Sequence, residues 1–301
     1  MKTFSLSLIV LLLPLMVLIL LVRNLNAADK RGARPGFVVA ISATPVLNTP
    51  AFRQMFSGAV KLDPCKGVRP IEFVALPGTL FAVYEKLEKD GVTVYRVATE
   101  DYPYSSQTGF FIDARFVREW KGGVLLQRKR HLPQLAEIQK RLLSALGKPY
   151  VWGGNVKDGV PLLRRYYPQG DPLAGVDCSG LLYEATDGFT TRNTSALITY
   201  GEPVQVAGLS VDAIAQKLKP LDLLVWDGHV MIVLDSDSII QSTMGCGGGK
   251  SGVTMTPVRE ALRHLVQTRR PADRFPEGKA GKKAFVVRRW FSAGPAGAQS
   301  R

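Results

Sequence analysis

Cys178 lies in the stretch GVDCSGLLYEATDGF, residues 175–189, where a polar turn leads into apolar residues at helical spacing. The pattern predicts a helix that holds Cys178 in its first turn and uses Asp177 as its N-cap. Unpaired N–H groups and the positive end of the helix dipole lower the pKa of a thiol at that position. We therefore expect Cys178 to be a nucleophile. The alternative is a thiol that only fills space in the core.

A thiolate nucleophile needs a base that carries a proton to the leaving group. Of the three histidines, His131 falls in a basic patch and His264 in a helical pattern, so we expect both at the surface. His229 instead opens the apolar run HVMIVLD, which predicts a strand, and Gln241 follows twelve residues later in the next predicted strand. We expect His229 and Gln241 to form a cross-strand pair. Together with Cys178 they would make a papain-like set of nucleophile, base and orienting amide.

Five short motifs around these residues resemble the NlpC/P60 family of bacterial cell-wall cysteine peptidases and occur in that family's order. They lie within residues 147–245. The motifs are Tyr150-Val151-Trp152-Gly153-Gly154, Asp177-Cys178-Ser179-Gly180, Arg192-Asn193-Thr194-Ser195, Lys219-Pro220-Leu221-Asp222, and Gly228-His229-Val230 through Gln241. The resemblance implies an α+β, papain-like fold that cleaves a peptide bond next to a D-amino acid in the peptidoglycan stem. The bond it favours is D-γ-glutamyl-diaminopimelate.

Carried over residue by residue, the resemblance makes Cys178 the nucleophile, His229 the general base and acid, and Gln241 the residue that orients His229. The reaction would pass through a thioester. Four further residues would bind the substrate: Tyr150 close to the thiol, Asp177 and Ser179 at the polar ends of the substrate, and Arg192 from the family's arginine segment.

The chain departs from the family pattern at two places that bear on the site. Residues 155–176 form an insertion where the family has only a handful of residues, and we expect this insertion to border the cleft and narrow specificity. Leu221 stands where the family's K-P-G-D turn has glycine. The glycine-rich stretch GCGGGKSG lacks the spacing of a phosphate-binding loop, so we interpret it as a flexible loop.

Two other functions fit the same residues. An N-acetylmuramoyl-L-alanine amidase acts on the same polymer with the same kind of cysteine and histidine pair. A wall-binding protein with a degenerate catalytic domain is the non-enzymatic alternative, and the intact set of Cys178, His229 and Gln241 argues against it. Permuted acyltransferase relatives place histidine before cysteine, whereas here the cysteine comes first.

The elements that position these residues divide the chain into segments. Residues 36–120 alternate short apolar runs with turn signals, among them Asp90-Gly91, which predicts a hairpin. This segment is expected to be a small all-β barrel, and it resembles the bacterial SH3-like domain. A basic linker at 121–131 leads to the catalytic domain at 132–290, which opens with an amphipathic helix from Leu135. Residues 291–301 are expected to be a disordered tail.

The N-terminus predicts export. Lys2 precedes an apolar run over residues 4–22, and small residues follow at Ala27 and Ala28, so residues 1–28 are expected to be a signal peptide or a membrane anchor. The protein would then work in the periplasm or cell envelope, either free or anchored in the inner membrane. The sequence leaves the choice between cleavage and anchoring open, and the oligomeric state as well.

Charge and cysteine content limit the partners. The formal net charge is +14, from 39 Lys and Arg against 25 Asp and Glu, which favours a polyanion such as a carboxylate-rich cell wall. No nucleic-acid-binding motif is present, so we expect no nucleic-acid partner. If Cys65 and Cys246 pair, Cys178 is left free. The sequence holds no CxxC motif and no Cys/His cluster, so no metal or cofactor is expected.

Overall fold

The computed structural model of the chain describes residues 36–122 and 131–291. The predicted signal peptide or anchor at 1–28, most of the basic linker and all but the first residue of the predicted tail lie outside these residues. No helix in the described ranges combines the length and hydropathy that a membrane span requires.

Seven antiparallel strands form the first unit, in the spatial order β3-β2-β6-β5-β4-β1-β7. The strands are β1 (Gly36–Ala40), β2 (Thr44–Leu47), β3 (Ile71–Ala75), β4 (Leu80–Lys89), β5 (Val92–Ala98), β6 (Phe110–Asp113) and β7 (Val117–Glu119). A short helix, α1 (Phe52–Met55), follows β2. The predicted hairpin is confirmed: Asp90 and Gly91 join β4 to β5, with φ angles of 52° and 74°. Both angles are positive, as a tight hairpin turn requires.

The expected barrel does not close. Within residues 36–122 no pairing joins β3 to β7, so these two strands are the edges of an open sheet. Closure would need the free edge of β3, but the second unit occupies it. The backbone N–H of Val74 donates to Asn155 Oδ1 (2.9 Å), and Asn155 Nδ2 donates to the Val74 carbonyl (2.8 Å). The side-chain amide thus satisfies an edge that would otherwise stay unpaired.

The second unit mixes helices and strands. Its main sheet has the order β10-β16-β11-β12-β13-β14, with β15 pairing β16 from outside this path, and β8 pairs with β9 separately. The strands are β8 (Asn155–Val156), β9 (Gly175–Val176), β10 (Glu202–Val204), β11 (Leu223–Trp226), β12 (His229–Val233), β13 (Ser238–Thr243), β14 (Gly252–Pro257), β15 (Arg270–Pro271) and β16 (Ala284–Arg289). The helices are α2 (Leu135–Ser144), α3 (Pro161–Tyr166), α4 (Cys178–Ala185), α5 (Thr194–Leu197), α6 (Val211–Lys217) and α7 (Val258–Thr268).

Helices cover both faces of the main sheet. On one face, Val230 and Ile232 of β12 pack in a core with Leu181 of α4 and with Leu142 of α2. On the other face, side chains of β11–β13 pack against α6 and α7, with Leu262 fully buried. Because both faces are covered, β11 and β12 are nearly continuous apolar runs. The amphipathic helix expected from Leu135 is confirmed as α2.

The insertion at 155–176 belongs to the core of the first unit. Leu163, Tyr167 and Leu173 pack with Phe52 and Phe111, and the Tyr167 hydroxyl donates to the buried Asp113 at 2.7 Å. The sequence led us to expect that the insertion borders the cleft, and residues 171–174 do line a cavity of about 260 Å³ together with Tyr150 and Trp152. The apolar residues of the insertion also pack against the first unit, since a short helix with this much hydrophobic surface needs a partner.

A disulfide also joins the two units. Cys65 of the first unit pairs with Cys246 of the loop between β13 and β14, with 5.6 Å between their Cα atoms. The bond closes a separation of 181 residues. Cys178 is therefore the chain's free thiol.

Leu221 offers a test of the turn before β11. Its φ is 66°, a left-handed conformation that costs a non-glycine residue about 1 kcal/mol, but its side chain is fully buried in the core beneath α4. Truncating a buried leucine costs about 2–5 kcal/mol, so packing outweighs the backbone strain. We expect Leu221→Gly to lower the free energy of unfolding. Leu221→Ala should lower it by about 1 kcal/mol more, because alanine keeps the strain of the left-handed backbone. Urea unfolding measures both. A Leu221→Ala protein more stable than Leu221→Gly would rule out the left-handed turn.

Candidate active site

Cys178 begins α4, and the predicted cap is confirmed. Asp177 is the N-cap, with φ −82° and ψ −179°, and its Oδ1 accepts from the backbone N–H of Gly180 at 2.6 Å. Cys178 and Ser179 are buried, at 6% and 3% exposure. The helix therefore presents its nucleophile candidate in a closed environment and not at an open surface.

The expected lowering of the thiol's pKa is wrong for this environment. Burial raises the pKa of Cys178 to about 12, and the charge of Asp177 adds to the rise. Backbone N–H groups of Val230 and Ser179 and the charge of Arg192 oppose it. A helix N-terminus stabilises a thiolate by up to about 2 kcal/mol, which lowers the pKa of the thiol by about 1.5 units. Full burial can raise that pKa by about 3–5 units, so desolvation is the larger effect. Cys178 is consequently a neutral thiol at pH 7.

His229 opens β12, and Gln241 of β13 holds its ring. His229 Nε2 lies 2.9 Å from Gln241 Oε1. An amide oxygen can only accept, so Nε2 carries the proton and Nδ1 has the free lone pair. The hydrogen bond confirms the expected cross-strand pair, and the register, which pairs Ile232 with Ile240, sets Gln241 diagonally across from His229. Both side chains still share one face of the sheet, because the side-chain period along a strand is two.

The imidazole is neutral at pH 7. Burial lowers the pKa of His229, and the positive charge of Arg269 lowers it further, while the hydrogen bond to Gln241 and the charge of Asp177 raise it. Trp226 flanks the ring, with centroids 4.9 Å apart. The same indole lies under Arg269, whose Cζ is 4.8 Å from the ring centroid.

The His229 side chain alternates along β12 with Val230, so it leaves the strand on the face of Met231 and Val233, and it is the backbone of Val230 that contacts the thiol. This residue directly follows His229, and its N–H is a hydrogen-bond partner of the Cys178 sulfur. In the part of the chain that the structure describes, no hydrogen bond joins the sulfur to the imidazole itself. Catalytic hydrogen bonds often tighten only when substrate binds. A neutral thiol beside a neutral imidazole with a free Nδ1 can perform nucleophilic catalysis if the proton moves during attack.

Asp177, Ser179 and Arg192 bind one another. Arg192 donates from Nη1 to Asp177 Oδ1 (2.7 Å) and from Nη2 to Asp177 Oδ2 (2.8 Å). Nη1 also donates to Ser179 Oγ (3.0 Å), and the Ser179 hydroxyl donates to Asp177 Oδ1 (3.0 Å). Arg192 is 1% exposed. A substrate group would have to displace these internal partners, so this geometry fits positioning of α4 better than the substrate contact the resemblance implies.

Tyr150 lies beside the thiol, as the resemblance implies. Burial raises the pKa of its hydroxyl well above the usual range, and the charge of Asp177 adds to the rise. The phenol therefore stays protonated and can donate a hydrogen bond. Arg69 of the first unit opposes this shift, and its Cζ lies 4.2 Å from the Trp152 ring centroid. These contacts place a residue of the first unit at the rim of the site.

Sequence reasoning missed Arg69 and Arg269. Neither residue belongs to a motif, and each reaches the site through packing between elements that are distant in sequence. Stacking of arginine on a tryptophan leaves no local sequence signal. Within residues 36–122 and 131–291, no group of three His, Cys, Asp or Glu side chains could hold a metal ion.

A thiol at a helix N-terminus and an amide-held histidine on a neighbouring strand are the groups that cysteine hydrolases use. Residues 147–265 match the model of the NlpC/P60 family, so this part of the chain is an NlpC/P60 domain. Proteins of this family are generally cysteine peptidases that hydrolyse peptidoglycan. No curated protein matches the chain.

Two solved structures are similar to the chain at low identity. An NlpC/P60 family protein from Bacillus cereus ATCC 10987 is 16% identical, with a TM-score of 0.33 over 85% of this chain and 64% of that one. NlpC2 from Trichomonas vaginalis is 13% identical, with a TM-score of 0.31 over 85% of this chain and 72% of that one. The chain thus spans less than two thirds of the Bacillus cereus protein.

The buried pair of Asp177 and Arg192 predicts a large loss of stability on substitution. Arg192→Met would leave the Asp177 carboxylate without its charge partner, which typically costs about 3–5 kcal/mol. Arg192→Lys keeps the charge but loses the bidentate geometry, so we expect a smaller loss. Denaturant unfolding measures both, with Arg263→Met, a change at an exposed position of α7, as the control. A stability for Arg192→Met equal to that of the control would contradict a structural role for the pair.

Proposed function

We propose that this protein is a cysteine endopeptidase that hydrolyses a peptide bond next to a D-amino acid in peptidoglycan stem peptides. The D-γ-glutamyl-diaminopimelate bond is the one we assign to it. The observation that carries this proposal is the free thiol of Cys178 at the start of α4, beside a strand whose first residue, His229, is held by Gln241, all within an NlpC/P60 domain. The resemblance noted in the sequence supports a papain-like fold for that domain.

The reaction begins from the neutral pair. The Cys178 sulfur attacks the scissile carbonyl carbon while its proton passes to Nδ1 of His229, and the carbonyl electrons move to oxygen. Backbone N–H groups at the start of α4 and the protonated hydroxyl of Tyr150 are donors for that oxyanion. His229 then gives its proton to the departing amine as the C–N bond breaks, which leaves a thioester. Water, losing a proton to His229, attacks the thioester, and the thiol leaves with that proton.

Gln241 keeps the imidazole in the productive tautomer throughout. Its oxygen holds the proton of Nε2, so Nδ1 remains the nitrogen that exchanges protons with sulfur, amine and water. A neutral amide stabilises imidazolium less than a carboxylate would. Transfer from sulfur to nitrogen is therefore favoured only as the new C–S bond forms.

The remaining assignments concern the setting of the enzyme. We assign it to the periplasm or cell envelope, by export through residues 1–28, with the inner membrane as its site if that segment stays attached. The first unit is proposed to be a relative of the SH3-like domains whose sheet stays open at β3. The net charge of +14 would draw the enzyme towards wall carboxylates, an attraction that salt weakens.

A digest of purified diaminopimelate-type muropeptides tests the activity. We expect the protein to split the stem after D-glutamate, because that is the bond assigned to Cys178, and Cys178→Ala to leave every stem intact. Mass spectrometry of the fragments provides the readout, under conditions that leave the Cys65–Cys246 disulfide oxidised. Release of whole stem peptides would show an amidase instead. If the protein binds the wall but no cleavage depends on Cys178, the result supports the alternative of a non-catalytic wall-binding protein.

The charges around His229 predict the acid side of the pH profile. The base must be neutral, and the pKa of His229 is lowered from 6.5, so activity persists as the pH falls to 6.5 and is lost below it. Gln241→Leu removes a hydrogen bond that raises this pKa, so its acid limb moves to lower pH. Arg269→Gln removes a charge that lowers it, so its limb moves to higher pH. The measurement is kcat/KM as a function of pH for the native protein and the two variants. If both substitutions move the acid limb in the same direction, the assignment of this limb to His229 is refuted.

A further inference from the structure

The segment after α4, residues 187–193, returns to the start of that helix, where Arg192 binds the Asp177 cap. The guanidinium lies so close to the first turn that a Cβ added at Gly180 would be 2.7 Å from Arg192 Nη1. A shift of the segment therefore either presses the guanidinium against the turn that holds Cys178 or pulls it away from the cap. The geometry of the thiol depends on what fixes this segment.

Tyr104 of the first unit fixes the backbone of the segment. It lies in the loop between β5 and β6, and its hydroxyl donates to the Arg192 carbonyl. The same hydroxyl is 3.3 Å from Thr191 Oγ1, which donates to that carbonyl at 3.1 Å. Residues 187–193 belong to no helix or strand. Hydroxyl groups thus satisfy a carbonyl that secondary structure leaves open.

Asn193 makes a second contact with the first unit. Its φ is 71°, a left-handed conformation that asparagine tolerates better than most residues, and its Nδ2 donates to the Tyr102 hydroxyl at 3.2 Å. Tyr102 is itself held firmly. It is buried, its ring stacks on Phe73 of β3 with centroids 4.4 Å apart, and its hydroxyl donates to Glu72 Oε2 at 3.3 Å. A phenol anchored in the first sheet therefore holds Asn193.

The two tyrosines act as one cluster. Their rings meet edge to face, with centroids 4.6 Å apart. Burial raises the pKa of Tyr102 to about 12, against the effect of the Asn193 hydrogen bond. The phenol thus stays protonated at neutral pH and can donate to Glu72 while it accepts from Asn193.

These contacts add little to the union of the two units. The insertion already shares a core with the first unit, Asn155 pairs with the edge of β3, and the disulfide joins the units elsewhere. Tyr102 and Tyr104 instead contact the backbone and side chains on either side of the Arg192 guanidinium. Loss of their hydroxyl contacts should consequently change the position of Arg192 and leave the units joined.

We propose that Tyr102, Tyr104 and Asn193 are positioning residues for the reaction and form a latch through which the first unit holds Arg192, and with it the start of α4, in the geometry for attack by Cys178. The inference rests on the proposed peptidase function. Because the latch acts through Arg192 and not on the substrate, its loss should lower kcat and leave KM unchanged.

Tyr104→Phe and Asn193→Gly test the latch on diaminopimelate-type stem peptides. Tyr104→Phe keeps the ring and removes the donor to the Arg192 carbonyl, whereas Asn193→Gly suits the left-handed backbone and removes the amide. We expect each to lower kcat by about three- to tenfold, the value of one neutral hydrogen bond, with KM within about twofold. Asn193→Ala also strains the backbone and should lower kcat at least as much. Tyr84→Phe, at an exposed position of β4, should leave both constants unchanged.

Amide hydrogen exchange, followed by mass spectrometry, gives a readout that needs no catalysis. In Tyr104→Phe and Asn193→Gly, residues 177–185 should exchange about three- to tenfold faster than in the native protein, because the cap of α4 is loosened. Exchange in α7 should stay at the native rate. A role in overall stability alone would raise exchange in both helices.

The two readouts separate the latch from the peptidase. A native kcat in the folded variants, a rise in KM alone, or exchange that is unchanged in α4 or raised equally in α7 overturns the latch, while the peptidase stands. If the native protein cleaves no stem peptide, the peptidase fails and exchange alone decides. Faster exchange confined to α4 then supports the latch, and native exchange overturns it.

Discussion

The candidate site depends on one buried ion pair, between Asp177 and Arg192. The same carboxylate caps α4, accepts from Ser179 and holds the guanidinium in two hydrogen bonds. Burying either charge alone would cost several kcal/mol, so each residue makes the burial of the other tolerable. The backbone carbonyl of Arg192 also accepts from the hydroxyl of Tyr104 in the first unit. The position of Cys178 is therefore fixed through the pair to both units of the protein.

The same pair also acts on the thiol. Burial is the largest cause of the raised pKa of Cys178, Asp177 adds to the rise, and Arg192 opposes it. Burial also dominates at His229, where it lowers the pKa. Both shifts favour the uncharged forms. Since the thiolate and not the thiol is the reactive species, Cys178 is held in its unreactive form in this structure.

Local patterns in the sequence predicted local structure well. The cap at Asp177, the three strands from β11 to β13 and the hairpin at Asp90-Gly91 follow from residue preferences over a few positions, and the structure has all of them. What depended on tertiary contact was not predictable in this way. The pKa of Cys178 reverses because burial is a property of the packed core, and the first sheet stays open because Asn155, distant in sequence, occupies its edge. The diagonal placement of Gln241 reflects a register that the twelve-residue spacing alone leaves open.

The insertion shows why the two units cannot be treated as separate modules. It lies within the NlpC/P60 domain at 147–265, yet Leu163 and Leu173 are buried in the core of the first unit. Without that unit these apolar side chains would face water, and Cys246 would lose its disulfide partner. The insertion continues directly through β9, Gly175–Val176, into Asp177, and the Val176 carbonyl accepts from Ser242 of β13 at 2.7 Å. Packing between the units thus fixes the segment that leads into α4, which makes the first unit part of the scaffold of the site.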